Sequence, residues 1–226
     1  GTDFLDEILI KSNEAVADYT VFISEWVKNY YSAKGLYVEN NSKVIINGCE
    51  SKWFFPKKDI SLSSKVKLIT HHWSDNFMKG FDVYNYIDQL CEERNDIEFT
   101  YLGRYNNQYK PKNSKVISPK YGPDIGDIIR CHDIYVTAAR WEACGSHHIE
   151  GSSCGLPVLY HKDGGAIPEI CKNHGMEFND PKSFESALEH IIENYETLRS
   201  KIDYEVLGID RCLKEYYDVF MNIIDA

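Results

Sequence analysis

Asp133–Ile170 reads DIYVTAARWEACGSHHIEGSSCGLPVLYHKDGGAIPEI, and the fold follows from how this stretch is parsed. The apolar run Ile134 to Ala139 predicts a buried strand, and small residues then turn the chain into a helix from about Ser146 to Cys154. A second strand is expected from Pro157 to Tyr160. The pair Gly164-Gly165 then opens another helix, with Pro168 in its first turn. Strand, helix, strand, helix in such short order predicts an α/β chain with a Rossmann-like, doubly wound parallel sheet. In such sheets ligands bind at the carboxyl ends of the strands, where helix N-termini present free N–H groups. Glu142 falls just past the first strand, Glu150 inside the helix, and Gly145 lets backbone approach an anion without a Cβ in the way. The expected local design is an anion seat with a carboxylate on either side.

Glu142-x7-Glu150, followed by CGLPV (Cys154–Val158) and GGAIPEI (Gly164–Ile170), resembles the donor-site signature of the family-4 retaining glycosyltransferases. These have the GT-B fold of two Rossmann-like lobes. The resemblance extends over most of the chain, but only to the carboxyl-terminal half of such an enzyme. It implies a nucleotide-sugar donor, transfer of a hexosyl group with retention, and an amino-terminal acceptor domain of the same protein. The acceptor itself, whether a sugar, a lipid or a protein, is left open.

Composition narrows the classes. At 226 residues and 43% apolar, the chain has ample material for a core, and a net charge of −10 argues against a general nucleic-acid surface. Seven cysteines without CxxC spacing fit reduced thiols in a cytoplasmic protein. No apolar run approaches the ~20 residues of a membrane span, and peripheral membrane attachment of the full-length protein is compatible with the family.

Outward from the organising stretch, residues 1–64 read as a leading helix (2–17), a strand (Tyr19 to Ser24), a helix (Glu25 to Ser32), a strand (Lys43 to Gly48) and a linker (51–64). Ala17 to Ser24 resembles the family's crossing from the acceptor domain, and Val44 to Glu50 its VIxNGxD segment. Residues 65–205 are the expected donor-nucleotide core. Its strands are Val66 to Thr70, Ile97 to Gly103, Val116 to Ser118 and Met176 to Phe178, and its helices are Phe81 to Cys91, Ile125 to Cys131 and Pro181 to about Lys201. Residues 206–226 hold a last helix, Ile209 to Ile224, expected to pack towards the missing lobe and to leave Tyr216, Phe220 and Ile223 exposed.

Several residues are candidates for the chemistry. Lys79, before Gly80 at a helix start, is where the dipole disfavours a cation, which favours a role on an anion. The family's usual Gly-Arg in the preceding loop is absent. His71, His72, Trp73 and Ser74 stand there instead, and Arg104 after Gly103 is the candidate replacement. Ser118 to Tyr121 are candidate nucleobase contacts. Ser146 and His147 open the helix at the anion seat. By resemblance, Glu142 is the catalytic carboxylate beside the donor sugar, and Glu150 accepts the ribose hydroxyls, to which an ionised carboxylate is suited as a pure acceptor. Gly164, Gly165 and Glu169 are expected near the donor as well. The carboxylate pair also admits a hydrolase reading, as general acid and base. Against it, hydrolase carboxylates usually come from different strands or loops, whereas Glu150 sits on a helix behind a glycine turn. The pairs His71-His72 and His147-His148 admit a metal, although adjacent strand residues face opposite ways. The expectation is no metal and no cofactor. The competing class is a non-catalytic nucleotide-binding module or a partner subunit of a transferase, favoured by the missing Arg.

Overall fold

The computed structural model describes residues 3–38, 41–58 and 61–225. Residues 1, 2, 39, 40 and 226, and positions 59–60 of the expected linker, lie outside the described residues. Helix α1 (Asp3–Val16) leads to strand β1 (Thr20–Phe22), helix α2 (Glu25–Ala33) and strand β2 (Ser42–Val44), and the two strands pair in parallel. Ser24 is already the extended N-cap of α2, its hydroxyl accepting from Val27 N–H, so β1 is shorter than the expected 19–24. β2 likewise ends at Val44, and Asn47 turns its side chain to the Cys144 carbonyl, 2.8 Å away.

The core runs β3 (Val66–His72), a 3₁₀ turn (Phe77–Lys79), α3 (Phe81–Glu93), β4 (Ile97–Gly103), β5 (Lys115–Ile117), α4 (Pro123–Arg130), β6 (Ile134–Thr137), α5 (Ser146–Ser153), β7 (Val158–His161), α6 (Ile167–Cys171), β8 (Gly175–Phe178) and α7 (Pro181–Glu193). The short helices α8 (Tyr195–Ser200) and α9 (Tyr204–Leu207) precede α10 (Ile209–Ile224). The single helix expected from 181 to 201 is therefore two. Asn194 leaves helical geometry (φ −114°, ψ 21°) and its side chain donates to the His190 carbonyl, which ends α7.

All six core strands are parallel, in the order β5-β4-β3-β6-β7-β8. Renumbered within the sheet this is 3-2-1-4-5-6, the doubly wound order, and it reverses direction between β3 and β6. Both faces are covered, which is why the strands are apolar on both sides. Leu68, Ile134 and Val136 pack with Tyr84, Phe99 and Leu188 on one face. Ile69, Tyr135 and Val158 pack with Ile129, Ile149 and Ile167 on the other.

The leading segment is bolted to this core. Lys57 bonds Asp133 Oδ1 at 2.8 Å and the His132 carbonyl at 3.0 Å, and Arg199 donates to the Lys57 carbonyl. Helix α10 lays Cys212, Val219 and Tyr216 on the β1–β2 sheet. Tyr216 is thus half-buried, while Phe220, Ile223, Leu213 and Tyr217 are exposed. Among the described residues no helix is long and apolar enough to cross a membrane.

His148 in α5 is fully buried, and neither ring nitrogen has a hydrogen-bond partner. Burial pushes it from an ordinary 6.5 down to about 3, and neighbouring His174 down to about 4. A folded-state value below the unfolded one means that the unfolded chain binds more protons between those limits. The stability held above about pH 6.5 is therefore lost as pH falls towards 3. His148→Leu removes one such group. Its acid-unfolding midpoint, followed by far-UV circular dichroism, is expected at lower pH than that of the wild type.

Candidate functional site

The reversal of strand order between β3 and β6 opens a cleft of about 360 Å³ at the carboxyl ends of the strands. His71 and His72 from β3, Lys79 from the 3₁₀ turn, Glu142 and Gly145 from the loop after β6, and Ser146, His147 and Glu150 from α5 line it together. Of the sequence-based candidates, Lys79, Glu142, Gly145, Ser146, His147 and Glu150 thus meet in one place. Pro119 and Lys120 close the far wall.

The other candidates lie elsewhere. Arg104 is exposed and stacks on the Trp73 ring, 4.0 Å from its centroid, and Tyr121 meets the same ring edge-on. Both sit at the rim. Gly164, Gly165 and Glu169 do not line the cleft, and of the three only Gly165 touches the backbone of its loop. Gly165, at φ +68°, packs so closely on Glu142 that a Cβ would come 2.4 Å from its carbonyl oxygen. Next to it, Ala166 N–H donates to the Glu142 carbonyl at 2.8 Å. Glu169 faces the start of α2, where the N–H groups of Glu25 and Trp26 act on its carboxylate. Burial dominates there and raises its pKa.

Lys79 stands at the end of the 3₁₀ turn, one residue earlier than a first-turn position of α3, because Gly80 (φ +80°) intervenes as the α3 N-cap. From there Nζ reaches Glu142 Oε2 at 2.6 Å. Both side chains are about four-fifths buried, so this pair is less screened than a surface one. Gly145 permits the arrangement: a Cβ there would come 2.8 Å from both the Glu142 carboxyl carbon and His147 Nδ1. Burial, reinforced by the neighbouring histidines, holds the His147 pKa well below its ordinary value, so the ring is neutral, and its Nε2 lies 3.0 Å from Thr137 Oγ1. His72 is also kept neutral by burial, its Nε2 2.6 Å from Tyr84 OH. The α5 N-terminus behind Gly145 has no side-chain cap, leaving its first N–H groups for a ligand.

The leading segment contributes what the sequence motifs did not disclose. Ser24 Oγ donates to the Ala143 carbonyl at 2.7 Å and Asn47 Nδ2 to the Cys144 carbonyl at 2.8 Å, so the loop carrying Glu142 is held from outside the core. Asn47 belongs to the Val44 to Glu50 segment that resembles VIxNGxD, which marked the residue but not its partner. Trp141 is the one non-glycine residue with positive φ (56°) among the described residues, and it packs edge-on against Trp26 and Tyr30 of α2. Its strained backbone points Glu142 back towards the cleft while its N–H donates to the Asp163 carbonyl. Among the described residues no three His, Cys, Asp or Glu side chains are grouped to hold a metal ion.

A doubly wound sheet with an uncapped helix N-terminus, a lysine and two carboxylates at its switch point is an α/β lobe of the GT-B kind. The sequence profile of the glycosyl transferases group 1 matches residues 79–205, more than half of the chain, and the chain belongs to that family of glycosyltransferases. No curated protein matches by sequence. Among solved structures, Anabaena HepE in complex with UDP and glucose superposes with a TM-score of 0.79 at 15% identity, covering 98% of this chain and 68% of its own. Sucrose-phosphate synthase from Thermosynechococcus elongatus gives 0.75 at 14%, covering 97% and 62%. The pneumococcal O-GlcNAc transferase GtfA in complex with UDP and GlcNAc gives 0.72 at 12%, covering 100% and 48%. At these identities the likeness is one of fold. The chain spans between about half and two thirds of these three proteins.

Gly145→Ala is expected to force Glu142 or His147 out of place. A loss of about 1–3 kcal/mol, the usual range for overpacking a tight site, should appear as a lower urea midpoint with an unchanged slope.

Proposed function

We propose that the cleft binds the diphosphate and ribose of a nucleotide-sugar, and that the chain is the donor lobe of a family-4-type retaining glycosyltransferase. The observation that carries this reading is the convergence of Lys79, Glu142, the α5 N-terminus and Glu150 on one cleft. The two ends of the ligand call for different partners. A diphosphate suits the free N–H groups at Ser146 and His147 together with the Lys79 ammonium, which has donors beyond the one directed at Glu142. A ribose diol suits a carboxylate, and Glu150 is the one deeper along α5. Glu142, as the catalytic carboxylate, is left facing the sugar. Neighbouring structures that hold UDP or UDP-glucose support this assignment.

In the proposed reaction the bond between the sugar's anomeric carbon and the diphosphate breaks, an acceptor hydroxyl oxygen bonds to that carbon on the same face, and its proton passes to the departing diphosphate. This chain's contribution is positioning, together with stabilisation of the charge that builds on the departing diphosphate. Lys79 and the helix N-terminus offset that negative charge, so no metal is invoked. The exposed apolar faces of α1 (Phe4, Leu5, Ile8) and α10 (Phe220, Ile223) would carry the second, acceptor-binding lobe, which also shields the reaction from water. Reduced, buried thiols such as Cys154 and Cys171 favour a cytoplasmic setting.

A second reading is a nucleotide-binding module without transfer. It is favoured by one observation: among the described residues no arginine lines the cleft, and His71 and His72 at the end of β3 and Trp73 just after it line it instead. A titration of UDP, GDP and ADP by calorimetry, followed by a labelled-donor transfer assay on the longer protein, separates the two readings. Binding with transfer supports the first, binding without transfer the second, and no binding rejects both.

Two variants test the seat itself. Lys79→Ala should weaken UDP far more than uridine, and equal losses would remove Lys79 from the diphosphate. Glu150→Ala should cost roughly 1–3 kcal/mol of UDP affinity, the scale of a hydrogen bond to a charged group, and unchanged affinity would sink the ribose assignment.

A further inference from the structure

His71 occupies a buried position between two oxygens. Its Nε2 lies 2.6 Å from Glu150 Oε2 and its Nδ1 lies 3.0 Å from Tyr135 OH. Tyr135 projects from β6 into the layer beneath α5, fully buried, and the His71 peptide N–H donates to its oxygen at 3.2 Å. With that lone pair taken, the phenolic proton can go to Nδ1 at 3.0 Å or the His71 carbonyl at 3.4 Å, and the Thr70 side chain also acts on the phenol. Burial raises the Tyr135 pKa well above its ordinary value, so the proton stays on the phenol. The shorter bond directs it to Nδ1, and the imidazole's own hydrogen then sits on Nε2, aimed at Glu150. Among the described residues no other side chain hydrogen-bonds the Glu150 carboxylate, which leaves Oε1 for a ligand.

We propose that Tyr135 and His71 are positioning residues for the donor nucleotide: Tyr135 sets which nitrogen of His71 carries the hydrogen, and the Nε2–H fixes Oε2 of Glu150 so that Oε1 is presented to the ribose hydroxyls. This rests on the reading of the cleft as a nucleotide site. It differs from an Arg or Lys partner in one physical respect. With its hydrogen on Nε2 and its Nδ1 engaged by Tyr135, the ring gives Glu150 a single bond in a fixed direction, which leaves Oε1 as acceptor for a diol. An Arg or Lys at the same place, with several donors, would compete with the ribose for the carboxylate. The relay also links the two strands that flank the cleft, because His71 belongs to β3 and Tyr135 to β6.

The test combines two ligands with four proteins. UDP and 2′,3′-dideoxy-UDP are titrated by calorimetry into the wild type, His71→Ala, His71→Gln and Tyr135→Phe, and the ring ¹⁵N shifts of His71 are recorded by NMR without nucleotide. The wild type should show a protonated Nε2 and an unprotonated Nδ1. His71→Ala should bind UDP about tenfold or more weakly, as for a lost hydrogen bond to a charged group, yet bind the dideoxy analogue as the wild type does. His71→Gln returns an N–H donor near the Nε2 position and should recover most of the UDP affinity. Tyr135→Phe should lose part of it and redistribute the ring proton. A merely structural role predicts equal losses for both ligands. That outcome overturns the proposal, as does wild-type UDP affinity in His71→Ala or a proton found on Nδ1 in the wild type. If the wild type binds no UDP while the ring signals are as expected, the nucleotide reading fails and the proposal falls with it. If it binds UDP and the variants do not discriminate the ligands, only the relay fails.

Discussion

Everything at the cleft depends on one loop being held in an unfavourable shape. Between β6 and α5 the chain must turn from strand to helix within a few residues, deliver a carboxylate into the cleft and leave the helix N-terminus uncovered. Trp141 takes a left-handed conformation to do so, which is costly for a bulky residue and persists only where surroundings over-determine it. The surroundings here are four hydrogen bonds to the backbone of Trp141 to Cys144: Asp163 and Ala166 from the glycine turn after β7, and Ser24 and Asn47 from the leading segment. The motif residues Gly164 to Ile170 therefore matter chiefly as a brace.

The brace explains why residues far apart in sequence form one unit. Gly165 can lie against the Glu142 backbone only without a side chain, and Gly145 must lack one for Glu142 and His147 to close up. Once the loop is set, Lys79 has a partner at 2.6 Å across the strand reversal, and Arg140 pairs with Asp82 of α3 at 2.7 Å on the outer side of the same junction. The two loops flanking the switch point are thus tied to each other as well as to the sheet. The Lys79 ammonium and the uncapped start of α5 are therefore held in place by the fold.

The histidines show how burial changes the meaning of a residue type. Four of them, His71, His72, His147 and His148, lie at or behind the cleft and are almost wholly buried. For His72, His147 and His148 burial depresses the pKa, which makes them neutral shape-fillers and hydrogen-bonding groups, not a cluster of cations. Positive charge at the seat then comes from Lys79, with Lys120 at the far wall.

Periodicity and turn chemistry in the sequence were enough for the order and type of almost every core element, with Ile97–Gly103 and Ile209–Ile224 matching residue for residue. The Glu142-x7-Glu150, CGLPV and GGAIPEI combination was enough for the family, because local motifs encode local backbone. Local patterns could not show where Arg104 and Glu169 point, since an arginine one residue past a strand is free to stack on Trp73 instead of turning inward. They could not show that Asn194 would break a helix with an unbroken apolar face, because the capping bond competes with the helix at a single residue. Nor could they show the grip of Ser24 and Asn47 on a loop about a hundred residues away, or the Tyr135–His71–Glu150 line across β3, β6 and α5. Those contacts exist only once parallel strands are brought side by side. Register and crossover are properties of the whole sheet, and no short stretch of sequence contains them.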